Sequence, residues 1–267
     1  MNGRGTRAAL GLLALVWLVP YAVMLTVSVL DLSVLGTGPA GGWLTLRHYE
    51  RVLAAPLVGR SLLNGVLVCA LILLLQLACC IPCGYALARG RFRGRGLAGA
   101  VVLAAVPIPI HVTALPLYVG FVELGLVDTY AALVLPFAAS ALGILMFRQA
   151  IAGLPEELFE AARLDGLGEA SILLRVVLPC IRPTVAAFAV LSVVAHWNDL
   201  FWPFLVVESA ELAPPALAAL FARNAESGTD FGALMASAAL VSTPIVAAFL
   251  VGQRLFVNAF AFSGIKG

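Results

Sequence analysis

Residues 62–88 read LLNGVLVCALILLLQLACCIPCGYALA, and no charged side chain lies between Arg60 and Arg89. A helical bilayer crossing needs about 20 consecutive, mostly apolar residues, and this run exceeds that length. A half-buried strand would alternate apolar and polar residues, and a solvated helix would carry a polar face; neither pattern is present. In hydrocarbon the run must be helical, because each unpaired peptide group there costs several kcal/mol. Outward from it lie five more apolar runs, at about 8–30, 97–122, 130–147, 184–207 and 231–255. The first outlasts the apolar core of a cleaved signal peptide, about 7–15 residues, and is read as a retained span. The 97–122 run contains Pro107, Pro109 and Pro116, which predicts a kinked or locally unwound helix. The expectation is an all-α integral membrane protein, one transmembrane domain of six helices over residues 1–267. Composition agrees: 62% of residues are hydrophobic and 11% charged, with a mean hydropathy of +1.05, where soluble domains carry about 25% charge. A solvated enzyme, a disordered chain and a coiled coil are excluded. The net charge of +2 leaves no footprint for nucleic acid.

Charge sets the expected orientation. Arg4, Arg7, Arg89, Arg91, Arg93, Arg95, Arg148, Arg163, Arg175, Arg182, Arg254 and Lys266 fall on one side of a six-span chain, and Arg47, Arg51, Arg60 and Arg223 on the other. Basic residues in short loops stay in the cytoplasm. Both termini are therefore expected on the cytoplasmic side of the membrane. The turn holding Arg89, Arg91, Arg93 and Arg95 is the strongest anchor and needs no further role. Cys69, Cys79, Cys80, Cys83 and Cys180 sit in or beside apolar runs. No disulfide framework is indicated, and the Cys80–Cys83 spacing reads as packing, since nothing nearby supplies two more metal ligands.

From about 150 to 183 the apolar pattern stops. Pro155 suits the first turn of a helix, and Glu156 and Glu157 complement its positive end. Gly166 is placed to cap that helix in a left-handed conformation. A second helix is expected from Gly168 or Glu169, stopping by Pro179. The prediction is a helix–turn–helix on the cytoplasmic face, with Leu158, Phe159 and Ala162 along one side. Glu156, Glu157, Glu160, Asp165 and Glu169 outnumber the arginines Arg163, Arg175 and Arg182. Such a face suits a protein partner better than anionic lipid.

Glu160-Ala161-Ala162, three residues, Gly166, nine residues and then Val176-x-Leu178-Pro179 resembles the glutamate-alanine-alanine loop of ABC-importer membrane subunits. Only Val176 departs, standing where that pattern has isoleucine. Pro116-Leu-Tyr118, Leu124-Gly-Leu126, Asp128-Thr129, Leu154-Pro-Glu-Glu157, Tyr85-Ala-Leu-Ala-Arg89 and Trp197-Asn-Asp-Leu-Phe-Trp-Pro203 are similar to sugar permeases of the maltose and glycerol-phosphate type. The tail from Gln253 to Gly267 resembles the smaller of the two permease subunits. The resemblance implies that Glu160, Ala161, Ala162, Asp165, Gly166, Leu178 and Pro179 couple the chain to an ATPase. It also implies two copies of that ATPase, a second, different permease subunit, and an extracytoplasmic substrate-binding protein.

The only lysine is Lys266, followed by Gly267, so the phosphate-binding loop G-x-x-x-x-G-K-[ST] cannot occur. No ATP hydrolysis, cofactor or metal is expected of this chain, and it is read as no enzyme. Polar residues inside spans are costly in lipid and face cavities or neighbouring helices. Asn64, Gln76, His111 and Thr113 are such residues, and His196, Trp197, Asn198, Asp199 and Trp202 form the densest group. For Asn64, His111, Trp197, Asn198, Asp199 and Trp202 two readings stand: lining a sugar pathway, or packing and interfacial anchoring. The acidic outward segment 208–230 either meets a partner or is solvated. A permease for a polyamine or phosphate compound, and a lone channel or intramembrane enzyme, are the competing functions; the latter pair leave the loop spacing unexplained.

Overall fold

The structure, a computed structural model, describes residues 3–31, 43–225 and 230–261. Among the described residues the chain is helical, with no strand beyond a single antiparallel bridge between Leu30 and Leu44. Helix α1 spans Gly3–Ser28, α2 Arg47–Ala54 and α3 Pro56–Arg89. Helices α4 (Arg95–Ala105) and α5 (Ile110–Glu123) follow. Next come α6 (Tyr130–Val134), extended by a 3-10 turn Leu135–Phe137, and α7 (Ala141–Ala152). Helix α8 is Glu156–Leu164, and α9 is Glu169–Cys180, with a π-helical segment at Leu173–Val177. The chain then runs through α10 (Arg182–Trp197), α11 (Phe201–Val206), α12 (Pro215–Ala225) and α13 (Phe231–Ala261).

The apolar runs are less uniform than their hydropathy. Gly5–Ser28 and Leu57–Arg89 are each long and apolar enough to cross a membrane. The 97–122 run is two helices, α4 and α5, meeting at 101°. Pro107 and Pro109 lie in the break, where each removes a backbone donor. The 130–147 run bends by 44° between Phe137 and Ala141; Ser140 restarts the helix by accepting from the Gly143 N–H at 3.2 Å. The 184–207 run does not continue as one helix. It stops at Trp197, and the Asp199 carboxylate accepts from the N–H groups of Phe201 (3.0 Å) and Trp202 (3.3 Å) to open α11. A short polar side chain that competes for the backbone in this way breaks helices and begins new ones. Segment 208–230 contains α12, which hydropathy did not separate from a loop.

Helix α3 is the central strut. Its 34 residues measure about 50 Å at 1.5 Å per residue. It packs along α7 and also meets α10 and α12. Small residues set the closest approaches, as is usual where the lipid supplies no hydrophobic drive between helices. A Cβ on Gly84 would lie 2.9 Å from the backbone N of Arg148 and 2.9 Å from Phe147 Cβ. One on Gly143 would lie 2.7 Å from the Phe188 ring. Two cores result. Val68, Ile72, Leu133, Trp202 and Leu217 fill one, and Cys80, Phe147, Phe159, Ile172 and Phe188 fill the other. Leucines and valines of α1 are exposed over much of its length, consistent with a lipid environment.

Gly84→Ala should therefore push α3 from the backbone of α7 and cost about 1–3 kcal/mol. A lowered thermal midpoint of the detergent-solubilised protein is the expected reading. Gly120→Ala, where an added Cβ meets nothing within 4 Å, should leave it unchanged.

Candidate functional site

The segment between α7 and α10 is a helix–turn–helix. Pro155 stands at the N-cap of α8 with Glu156 and Glu157 in the first turn. At the other end the Gly166 N–H donates to Arg163 O and the Leu167 N–H to Ala162 O, both at 3.0 Å. This pair of bonds is a Schellman cap. It requires a left-handed residue, and Gly166 has φ +78°. A Cβ there would meet nothing within 4 Å, so the demand on glycine is conformational and not spatial. Helix α9 begins at Glu169 and passes through Pro179 to Cys180, where the sequence predicted a stop by Pro179. The wider turn before it accounts for the difference: the Leu178 N–H bonds to Leu173 O, five residues back. A π-helical turn shifts the hydrogen-bond register and so accommodates the missing proline donor.

Burial divides the residues of the motif. Phe159 and Ala162 point into the core with Ile172 and Val177, whereas Glu160, Ala161, Asp165, Gly166 and Pro179 are exposed and Leu178 is half-buried. The helix–turn–helix is bound to the last turn of α3. Arg89 donates to the Glu156 carboxylate and to the carbonyls of Leu154 and Ile151, the last at 3.2 Å, and so caps the end of α7. Its guanidinium carbon lies 4.3 Å from the centre of the Phe159 ring, a cation–π contact. The Tyr85 hydroxyl donates to Glu169, and Arg163 Nε reaches the same carboxylate at 3.1 Å. The Tyr85 hydrogen bond, helped by Arg163 and opposed by burial, holds Glu169 below the usual carboxylate range. Sequence reasoning treated Arg89 only as an anchor of topology. The available signal was Tyr85 and Arg89 four residues apart, on one helix face.

The opposite end of α3 holds a second polar cluster. Asn64, buried, donates from Nδ2 to the carbonyls of Glu211 (2.9 Å) and Ala213 (3.2 Å) and accepts from the Tyr130 hydroxyl at 2.7 Å. Asp128, with φ 58°, accepts from the N–H groups of Glu208 and Ser209 and from the Ser209 hydroxyl at 2.9 Å. Burial alone would raise this carboxyl, but the three hydrogen bonds outweigh it and hold its pKa low. Trp202 is fully buried and donates to Ala132 O at 2.8 Å; Trp197 is buried and donates to Val241 O at 3.0 Å. Among the polar residues singled out from sequence, His111 and Asn198 are exposed and Asp199 half-buried. The His111 ring lies 4.2 Å from that of Phe201, and Asn198 bonds back to Val194 O. Ser192, which the sequence reading passed over, donates to Gln76 Oε1 at 2.6 Å, and Gln76 Nε2 lies 3.3 Å from His196 Nε2. No group of His, Cys, Asp or Glu that could hold a metal occurs among the described residues.

Residues 80–261 match the family described as the binding-protein-dependent transport system inner membrane component. The chain belongs to that family. It is similar to an arabinooligosaccharide transport permease of Halalkalibacterium halodurans, 35% identical over 76% of this chain and 73% of the relative. It is also similar to an sn-glycerol-3-phosphate transport permease of Yersinia pestis, 32% identical over 77% of this chain and 73% of the relative. Its fold is that of a chain in a bacterial ABC transporter importing the acidic polysaccharide alginate, with a TM-score of 0.81, 23% identity, and 95% and 96% of the two chains covered. A second alginate transporter structure, in complex with a pentasaccharide-bound periplasmic protein, aligns with a TM-score of 0.65 at 16% identity, over 94% and 93% of the chains. The protein is thus a membrane permease component of a binding-protein-dependent transport system.

In this permease the depressed Glu169 pKa contributes stability to the helix–turn–helix above the ordinary glutamate range, and that contribution is lost as pH falls through the folded-state value. A spin label at Leu164, which is 89% exposed, reports this in a protein whose native cysteines are replaced. Its motion should increase on acidification in the otherwise native loop. With Glu169→Gln it should be greater already at neutral pH and change less with acid.

Proposed function

We propose that this permease is the smaller of two membrane subunits of a sugar importer, crossing the inner membrane six times with both termini in the cytoplasm. Two ATPase subunits and an extracytoplasmic binding protein complete the assembly. The sugar class is supported by the arabinooligosaccharide relative and by the Trp197–Pro203 sequence. The six crossings are supported by the two long apolar helices, the bent apolar segments at 95–123 and 130–152, α10 with α11, and α13. The orientation rests on the distribution of arginine.

The helix–turn–helix α8–α9 docks on the ATPase, with Glu160, Ala161, Asp165 and Gly166 on its outer surface and Leu178 and Pro179 fixing its return to α10. The observation that carries this reading is the clamp from Arg89 and Tyr85. An exposed acidic helix in a flexible loop could bind a partner without moving anything, whereas this one is fastened to the longest helix among the described residues. ATP is hydrolysed in the separate subunit. Asn64, Trp197 and Trp202 act as packing residues, because they are buried and their polar atoms bond within the subunit. The exposed His111 and Asn198 and the half-buried Asp199 are the ones left to face the translocation pathway.

Gly166→Val tests the docking assignment. A β-branched residue at positive φ costs roughly 1–3 kcal/mol of local strain, too little to prevent insertion of the spans. The variant should reach the membrane at normal abundance, recruit less ATPase on co-purification, and take up little sugar; Gly166→Ala should be milder. Full recruitment and uptake by Gly166→Val would remove the loop from the coupling role.

A further inference from the structure

A groove of about 360 Å³ opens between α4, α7 and the end of α3. Gly96, Gly99, Leu103 and Leu145 line it, and Arg95 and Arg148 are its charged residues. No carboxylate lines it. Helix α4 buries none of its residues, and a Cβ added to Gly96 or Gly99 would meet nothing within 4 Å. The groove is therefore open along a small-residue face and not collapsed.

Its two cations are in different states. Arg95 is fixed in place: Nε donates to Leu87 O (2.9 Å), Nη2 to Ala88 O (2.9 Å) and Nη1 to Gly90 O (3.2 Å). Those bonds cap the final carbonyls of α3 and use three of its five N–H donors. Arg148 is exposed and makes no ion pair among the described residues. The groove thus offers one pre-positioned guanidinium, one free guanidinium, and an apolar floor leading away from them. Guanidinium pairs with phosphate in a planar, two-bonded geometry, and basic pockets between helices on the cytoplasmic side suit anionic headgroups. The volume falls in the range of small-ligand sites.

We propose that this groove binds an anionic phospholipid of the cytoplasmic leaflet. Arg95 and Arg148 take its phosphodiester, and one acyl chain lies along Gly96, Gly99, Leu103 and Leu145. A soluble phosphate compound would leave the apolar floor unused, and an acidic protein segment would bring its backbone polar groups against that floor. The proposal rests on the cytoplasmic orientation of the Arg89–Arg95 turn given above.

The test uses the assembled transporter in nanodiscs of phosphatidylcholine, alone or mixed with phosphatidylglycerol, with retained lipid measured by native mass spectrometry. Wild type should retain phosphatidylglycerol in preference to phosphatidylcholine. Arg148→Gln, which removes charge, and Gly99→Leu, which fills the floor, should each lower that retention at least about fivefold. Arg91→Gln, on the same turn but outside the groove, should change it little. Equal retention in all four proteins overturns the site. So does a loss with Arg91→Gln matching that with Arg148→Gln while Gly99→Leu has no effect, since that pattern is diffuse surface attraction. Cross-linking of Gly99→Cys to the partner permease also overturns it, because protein then covers the groove. Labelling of Gly94→Cys from the cytoplasm checks the orientation independently: labelling only from outside would defeat the topology while leaving the retention result readable.

Discussion

The Arg89 guanidinium is the contact on which the half of the molecule that carries the helix–turn–helix depends. It stands at the last residue of α3 and joins two other pieces of chain: the carbonyls at and just beyond the end of α7, and α8, through the Glu156 carboxylate and the Phe159 ring. An arginine is suited to this place because its planar fork bonds several oxygens while its face stacks on an aromatic ring. Tyr85, one turn earlier, does the same for α9 through Glu169. The two halves of the helix–turn–helix are thus tied to one turn of one helix, and Arg163 links Glu169 to Glu156 within it.

Because α3 is continuous from Pro56 to Arg89, that tie reaches the other end of the molecule. There Asn64 bonds two carbonyls of the segment before α12, and Gly65 lies against Pro215 and Trp197 so closely that a Cβ would stand 2.7 Å from the proline ring. Midway, Gln76 joins Ser192 and His196 of α10. On the proposed function, one end of this strut meets the ATPase and the other supports the segment facing the binding protein. A rigid element with fixed attachments at both ends is the physical requirement for carrying a displacement between two sites.

The all-helical class and the positions of the apolar runs were legible in the sequence because hydropathy and length decide them. Gly166 was legible because a positive φ so strongly favours glycine. The breaks within runs were harder. The prolines at 107 and 109 announced one, but the Asp199 break depends on a side chain turning back to its own backbone, which periodicity does not encode. The π-helical turn before Pro179 was likewise hidden, since it depends on hydrogen-bond register. The clamp was missed for a different reason: Arg89 and Glu156 are far apart in sequence, and an arginine beside a membrane span has an adequate explanation in topology. Trp197 and Trp202, conspicuous in a list of polar and aromatic candidates, bury their indoles and satisfy their N–H groups within the subunit.

If α8 and α9 dock on the ATPase as proposed, Arg89 fastens that docking surface to α3, and the most direct test is stimulation of ATP hydrolysis by sugar-loaded binding protein in reconstituted transporter carrying Arg89→Gln. The outward face of α8 is untouched by the change, so the ATPase should still co-purify and hydrolyse ATP at its basal rate. Stimulation should fall about tenfold, within the usual range of coupling between sites. Wild-type stimulation in a fully assembled Arg89→Gln transporter would contradict the account.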